Sequence, residues 1–231
     1  MTSAYAEPPT ELTAADGVYA PQHDSRFLIE TMRQVNVHTE RRVIDLCTGS
    51  GVVAIAAAAA GAASVMALDV SMSAVRCARA NALAAGVDVD VRHGSWSRAA
   101  EFGPFDLVLC NPPYVPQPPG GDVETIPHHA GPAMAFDGGV DGRRVLGPLC
   151  SAASDLLGPD GTLLLIHSEF SDVDASLTTL RQAGLKASVI ARQHIPFGPV
   201  LTARARWLED GGLLEHGRRI EELVVIRADV P

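Results

Sequence analysis

The sequence predicts one α/β domain with an open, mostly parallel seven-stranded sheet and helices on both of its faces. A chain of 231 residues, 47% hydrophobic and 19% charged, suits a single packed domain. From residue 41 onward, apolar runs of strand length alternate with segments of helical period, which is typical of βαβ units. A glycine-rich turn follows the first of these runs. Together these observations indicate parallel strands joined by helical crossovers.

The apolar runs place the elements along the chain. The seven predicted strands cover residues 41–46, 64–69, 87–92, 105–110, 161–167, 185–195 and 222–228. The predicted helices cover 24–35, 49–60, 71–85 and 145–157, and a further helix begins at Ser171. No helical pattern is evident between the last two strands, so we expect an antiparallel hairpin there. The Pro- and Gly-rich segment 112–142 is too long for an idle connection, and such loops are usually functional or disordered.

Composition and charge narrow the class of protein. Residues 1–20 lack an apolar period, so we expect a loose tail there and a single domain over 21–231. No secretory signal or membrane span is evident in the sequence. The four cysteines form no CxxC pair, which predicts reduced thiols in a cytoplasmic protein and no metal site. The net charge of −9 disfavours a protein that holds nucleic acid by charge alone.

The glycine-rich turn points to a nucleotide-type cofactor. Gly49, Gly51 and Ala54 form a GxGxxA pattern after the first strand, and Asp69 ends the second strand. An acid there can accept hydrogen bonds from both hydroxyls of a ribose, so NAD and S-adenosylmethionine (SAM) are both candidates. Asp45, at the tip of the first strand, would repel a pyrophosphate and attract the ammonium group of a methionine moiety, which favours SAM. Alternatively, Asp45 only caps the turn and Gly51 only lets the helix pack on the strand.

The second motif is Asn111-Pro112-Pro113-Tyr114, directly after the fourth strand. The side-chain carbonyl of Asn111 and the fixed carbonyl of Pro112 can both accept hydrogen bonds from one planar NH2 group. Tyr114 can lie flat against an amide or a base. Such a platform suits methyl transfer to an amide or an exocyclic amine, because a sulfonium electrophile mainly needs positioning. The alternative is a Pro-rich turn in which Tyr114 only packs.

At these motifs the chain resembles the HemK/PrmC-type class I SAM-dependent methyltransferases, through DLCTGSG, ALD and NPPYVP. The resemblance covers roughly residues 17–228, and segments 17–32 and 135–146 are similar to the shorter branch, which lacks an N-terminal helical domain. It implies a Rossmann-like class I methyltransferase fold and methylation of a glutamine amide in a release-factor-like protein. Relatives in archaea and eukaryotes work with a small zinc-binding activator protein. A nucleic-acid base methyltransferase with the same cofactor site stays an alternative, because the NH2-holding platform serves both acceptors.

The resemblance also implies roles for individual residues. The residues that would border the methionine part of SAM are Asp45, Thr48, Gly49 and Gly51. Asp69 would hold the ribose, and Asn111, beside the cofactor, would hold the acceptor amide with Pro112 and Tyr114. The family has an Asp near the adenine where this sequence has Ser95, next to Trp96, and a hydroxyl accepts more weakly than a carboxylate.

Weaker signals have simpler explanations. We expect Asp24 to cap the first helix, whereas the family resemblance implies a place near the cofactor. We expect the His128-His129 pair to be solvated. Arg204 and its neighbouring arginines are expected to lie on a solvated face.

Overall fold

The computed structural model describes residues 17–122 and 124–231, so most of the expected tail, residues 1–16, lies outside the described part. A seven-stranded sheet has the order β3-β2-β1-β4-β5-β7-β6. The strands are β1 (Arg42–Leu46), β2 (Ser64–Asp69), β3 (Asp90–His93), β4 (Phe105–Cys110), β5 (Leu157–Ser168), β6 (Lys186–Pro196) and β7 (Ile220–Asp229). All seven predicted strands are present, although β3 is shorter than the predicted 87–92.

Helices cover both faces of the sheet, as predicted. They are α1 (His23–Val35), α2 (Val52–Ala59), α3 (Met72–Ala85), α4 (Leu146–Leu156), α5 (Val173–Gln182) and α6 (Pro199–Asp210). Helix α2 contacts α1 and α3 in one layer, whereas α4 contacts α5 and a short 3-10 helix, Trp96–Glu101, in the other. No helix in the described ranges is long and apolar enough to cross a membrane.

Strand order sets where a ligand can bind. Strands β3, β2, β1, β4 and β5 are parallel, with Leu46 opposite Leu68 on one side and Cys110 on the other. The chain leaves β1 toward β2 and later returns to place β4 on the other side of β1, so the order reverses at β1. Open α/β sheets bind ligands at such a switch point, beyond the carboxyl ends of the strands. The turn after β1, the end of β2 and the residues after β4 therefore meet at one edge.

The last two strands pair in antiparallel fashion, as predicted, but the expectation that no helix lies between them is wrong. Strand β7 lies between β5 and β6 and is antiparallel to both. Helix α6 occupies the connection between β6 and β7. Its apolar face is interrupted by Arg204, which is buried, and this interruption hid the helical period in the sequence.

The long loop after β4 makes backbone hydrogen bonds between its two ends. It folds back on itself, since the Val115 N–H donates to the Phe136 carbonyl and the Gly138 N–H to the Val115 carbonyl, both at 2.9 Å. Near the start of the described chain, Val18 is buried, so the segment before α1 packs against the domain and reaches the same edge of the sheet.

Candidate active site

A cavity of about 290 Å³ lies at the carboxyl edge of β1, β2 and β4. Nine predicted site residues line it: Asp45, Thr48, Gly49, Asp69, Ser95, Trp96, Asn111, Pro112 and Tyr114. The tenth, Gly51, is not part of the lining. The cavity volume falls just below the range of about 300–1,000 Å³ that is usual for small-molecule sites.

Asp45 is buried beneath the turn after β1. Its Oδ2 accepts hydrogen bonds from Thr48 Oγ1 at 2.5 Å and from the Ala54 N–H at 3.2 Å. Burial raises the pKa of the Asp45 carboxyl to about 7, against the opposing effect of these two donors. The negative charge of Asp45 is therefore costly unless a cation enters the cavity.

Gly51 serves packing rather than the cavity surface. Its φ of 84° is left-handed, and a Cβ built on it would lie 2.9 Å from Ala78 Cβ on α3. Any other residue here would push α2 and α3 apart. The adjacent carbonyl of Ser50 accepts a hydrogen bond from Asn81 Nδ2 at 2.9 Å, so α3 also holds the turn that carries Gly49.

Asp69 is held rigidly at the end of β2. One carboxylate oxygen accepts from the Gly49 N–H at 2.9 Å and the other from the Ser71 N–H at 2.8 Å. Burial raises the pKa of Asp69, and these two donors partly offset the effect. Each carboxylate oxygen keeps accepting capacity for a further donor.

Ser95 and Trp96 close the cavity beside β3. The Ser95 hydroxyl caps the short 3-10 helix, accepting from the Ser97 N–H at 3.4 Å and from Ser97 Oγ at 3.1 Å. Trp96 follows it and is half-buried. Ser95 thus contributes a hydroxyl to this part of the lining.

The Asn-Pro-Pro-Tyr segment is braced from α1. Asn111 Nδ2 donates to Ser25 Oγ at 3.3 Å, and Tyr114 Oη donates to Asp24 Oδ2 at 3.4 Å. The first bond uses a donor of Asn111 and leaves its Oδ1 available as an acceptor. Tyr114 is buried, and its burial, with the charge of Asp24 nearby, raises its pKa well above the ordinary value.

The expected capping role of Asp24 is wrong. Helix α1 begins at His23 and Gln22 occupies the N-cap position, so Asp24 lies in the first turn. Its Oδ1 accepts from the Ser25 N–H at 2.6 Å, while its Oδ2 faces Tyr114. Sequence reasoning missed this contact because Asp24 and Tyr114 lie 90 positions apart and nothing in either local pattern joins them.

The expectation that Arg204 lies on a solvated face is also wrong. Arg204 is 1% exposed, and its Nη1 donates to the Pro116 carbonyl at 2.8 Å. Its Nε and Nη2 pair with Asp122. Helix α6 therefore holds the first part of the loop that follows Tyr114.

The far end of that loop also closes on Tyr114. Ser171 Oγ donates to the Tyr114 carbonyl at 2.6 Å. A Cβ on Gly142, whose φ is 72°, would lie 2.5 Å from the same carbonyl oxygen. Only glycine fits this approach, so the Gly- and Asp-rich turn within residues 135–146 acts as a close-packed support for the Tyr114 backbone.

The lining favours a cationic ligand. It contains four carboxylates, Asp24, Asp45, Asp69 and Asp137, and a single guanidinium, Arg144, which pairs with Asp137 at 3.1 Å. A sulfonium compound with an ammonium group fits this charge better than a pyrophosphate does. Within the described ranges, no three His, Cys, Asp or Glu side chains cluster closely enough to hold a metal ion.

Comparison with known proteins finds methyltransferases. Residues 10–123 match the family model of the methyltransferase small domain. A release factor glutamine methyltransferase of Deinococcus radiodurans is 34% identical over 202 residues, which span 85% of this chain and 68% of the relative. A protein of Methanocaldococcus jannaschii, named as a candidate protein N5-glutamine methyltransferase, is 27% identical over 188 residues, spanning 81% of this chain and 91% of that protein.

Solved structures share the fold. In the E. cuniculi Mtq2-Trm112 complex, described as responsible for methylation of the eRF1 translation termination factor, the matching chain superposes with a TM-score of 0.61 and 19% identity. The match covers 93% of this chain and 99% of the other.

Proposed function

This chain belongs to the HemK/PrmC-type family of class I SAM-dependent methyltransferases, and we propose that it methylates the side-chain amide nitrogen of a glutamine in a release-factor-type protein. The observation that carries the proposal is the Asn111 amide, oriented by Ser25 so that Oδ1 is left as an acceptor. The D. radiodurans relative is named as a glutamine methyltransferase that acts on a release factor.

The residues around the cavity at the ends of β1, β2 and β4 fit SAM. In the proposed arrangement Asp45, Thr48 and Gly49 border the methionine part, whose ammonium offsets the buried charge of Asp45. Gly51 contributes indirectly, by letting α2 and α3 approach behind the turn.

The nucleoside part of SAM would lie toward β2 and β3. Asp69, already fixed by two backbone donors, would accept hydrogen bonds from the ribose hydroxyls. Ser95 would accept from the adenine amino group, and Trp96 would contact the ring. Ser95 would bind it more weakly than a carboxylate could.

The acceptor amide would lie on the Asn-Pro-Pro-Tyr segment. SAM supplies an electrophilic methyl group on sulfur. Asn111 Oδ1 and the Pro112 carbonyl would accept the two N–H bonds of the glutamine NH2 group and hold its nitrogen in line with the methyl group. Two acceptors on one NH2 group also raise electron density at nitrogen. Positioning of this kind supplies the main part of the rate enhancement when the electrophile is already reactive.

Tyr114 would form the wall against which the amide plane lies. Its hydroxyl bond to Asp24 and its carbonyl bond to Ser171 fix the ring and the backbone on two sides. Helix α1 and Ser171 thus restrict the movement of Tyr114.

A methyl-label assay tests the proposal. Labelled SAM is added with the protein to a cell extract of the source organism, and protein and nucleic-acid fractions are then separated. The expected label lies in a protein band of release-factor size, and the Asn111→Ala variant does not produce it. Label confined to nucleic acid would move the acceptor to a base amino group and contradict the proposal.

The proposed substrate takes part in translation, so we propose that the enzyme acts in the cytoplasm. A small activator protein is a further proposed partner, since the E. cuniculi neighbour was solved as a complex with Trm112. Co-expression with such a protein would then raise the melting temperature and kcat of this chain, whereas unchanged values would show that it acts alone.

A further inference from the structure

A second cavity, of about 270 Å³, adjoins the first. Both are lined by Tyr19, Asp24, Tyr114, Val115 and Phe136, so the acceptor wall Tyr114 is shared between them. The remaining walls come from Gln22 and His23, the end of β6, the start of α6 and the start of β7. None of these residues borders the first cavity. A group bound in the second cavity would therefore lie next to the acceptor platform and away from the cofactor residues.

Glu221 on β7 contributes a buried carboxylate to this cavity. The side chain is 5% exposed, and its Oε2 has no hydrogen-bond partner among the residues that the structure describes. Burial, together with the charges of Asp24 and Glu169, raises the pKa of Glu221 to about 7. A hydrogen bond with the Ser168 side chain and the charge of Arg218 act in the opposite direction and offset this rise only partly. A buried acceptor without a partner is costly, and proteins retain such groups mainly at functional sites.

The opposite wall offers donors. Helix α6 has Gly198 at its N-cap with no side-chain cap, and its first backbone bond runs from the Thr202 N–H to the Gly198 carbonyl. The N–H groups of Val200 and Leu201 precede that bond and so have no acceptor within the helix. Both residues line the cavity. The cavity thus combines a carboxylate acceptor with the positive end of a helix.

Building on the proposed glutamine methyltransferase activity, we propose that this cavity binds the main chain next to the acceptor glutamine. Glu221 Oε2 accepts a peptide N–H there, and the first turn of α6 faces a peptide carbonyl. A peptide group carries one donor and one acceptor, which matches this pair of walls. The other lining side chains are mostly apolar, among them Ile195, Phe197 and Leu201.

Charge argues against a nucleic-acid strand in the same cavity. Asp24 and Glu221 both lie close enough to Tyr114 to raise its pKa. A phosphodiester placed between these carboxylates would be repelled. The cavity therefore supports specificity for protein over nucleic acid as well as for the position of the glutamine.

The variant Glu221→Leu tests the proposal. It removes a buried, incompletely paired charge, so the melting temperature should stay equal or rise. The KM for the protein acceptor should rise about tenfold or more, as expected for loss of a charge-assisted hydrogen bond, while kcat and the Kd for SAM stay within about twofold. Glu221→Gln, which keeps an acceptor oxygen, should raise KM less. A merely structural role of Glu221 predicts the opposite pattern, with a lower melting temperature and a normal KM in the folded fraction.

Glu222→Gln is the matched control. Glu222 is the next residue on β7, pairs with Arg192 and does not line either cavity, so its KM should equal that of wild type. If wild type methylates a protein and Glu221→Leu leaves KM unchanged, this inference fails and the proposed function stands. If wild type labels only nucleic acid, both fail.

Discussion

Arg204 on α6 and Asp122 in the loop after Tyr114 form a bidentate ion pair with a buried guanidinium and a partly exposed carboxylate, with Nε–Oδ1 at 2.6 Å and Nη2–Oδ2 at 3.0 Å. The same guanidinium donates to the Pro116 carbonyl and lies over the ring of Phe136, 5.5 Å from its centroid. The Arg204 side chain thus joins α6 to both ends of the long loop after β4. The conformation of the loop should depend on it.

Replacing Arg204 with alanine should therefore affect stability and catalysis together. Breaking a buried pair typically costs about 3–5 kcal/mol, and partial exposure of Asp122 places this one near the lower end. Urea denaturation should show a loss of about 3 kcal/mol, and kcat/KM should fall at least tenfold at a temperature where the variant is folded. Arg206→Ala is the control, because Arg206 is 83% exposed and pairs with Asp210 at 4.0 Å. Equal effects of the two variants would contradict the clamping role.

SAM binding should release a proton below pH 7. Burial raises the pKa of Asp45 to about 7 in the free protein, and the SAM ammonium would favour the charged form and lower that pKa. The bound state then holds fewer protons, so affinity should increase as pH rises from about 5 to 7 and level off above about 8. Calorimetry in buffers of different ionisation enthalpy measures the proton release directly.

The variant Asp45→Asn should bind SAM about tenfold more weakly and with a smaller pH dependence, because only the Asp69 carboxylate then remains. An unchanged pH profile would rule out Asp45 as the partner of the ammonium.

Asn111→Ala should separate catalysis from cofactor binding. Removing the acceptor Oδ1 should lower kcat by about 100-fold or more, as for loss of one positioned polar group in an active site. The Kd for SAM should change by less than about fivefold, since Asp45 and Asp69 remain. Ser25→Ala removes the hydrogen bond that orients Asn111 and should lower kcat less. A variant that loses SAM binding and activity in parallel would place Asn111 in the cofactor site alone.

Ser95→Asp should tighten SAM binding. A carboxylate at this position forms a charge-assisted hydrogen bond with the adenine amino group, roughly twice as strong as the bond to a hydroxyl. We expect the Kd to fall by about three- to tenfold with kcat unchanged, measured by isothermal titration. Weaker binding of the variant would show that the adenine does not lie beside Ser95.

The sequence was most informative where residues follow strands directly. Asp45, Asp69 and Asn111 end three neighbouring strands, and parallel strands bring their carboxyl ends to one edge, so their convergence could be predicted without coordinates. The two glycines of the turn have different roles in the structure. Gly49 lines the cavity, whereas Gly51 faces Ala78 and lets α2 and α3 pack closely. The GxGxxA spacing alone does not distinguish these two roles.

The parts that could not be predicted depend on contacts between distant segments. Arg204 lies in the pattern ARARW, whose alternating arginines indicate a solvated face, although one of them is buried against a loop more than 80 positions away. Ser25 and Asp24 likewise reach Asn111 and Tyr114 across 86 and 90 positions. No periodicity encodes such pairs. Glu221 escaped notice for the same reason, because a Glu in a strand pattern indicates a solvated edge.

In the proposed reaction the methyl group is transferred to an amide nitrogen. Protein labelled by the enzyme with methyl-labelled SAM is hydrolysed in acid, which cleaves an N-methylated side-chain amide to glutamate and methylamine. Most of the label should then be recovered as methylamine, which is volatile once the hydrolysate is made alkaline, and protein incubated with Asn111→Ala should yield almost none. Label that stays with a non-volatile amino acid, or that is found only in nucleosides, would contradict it.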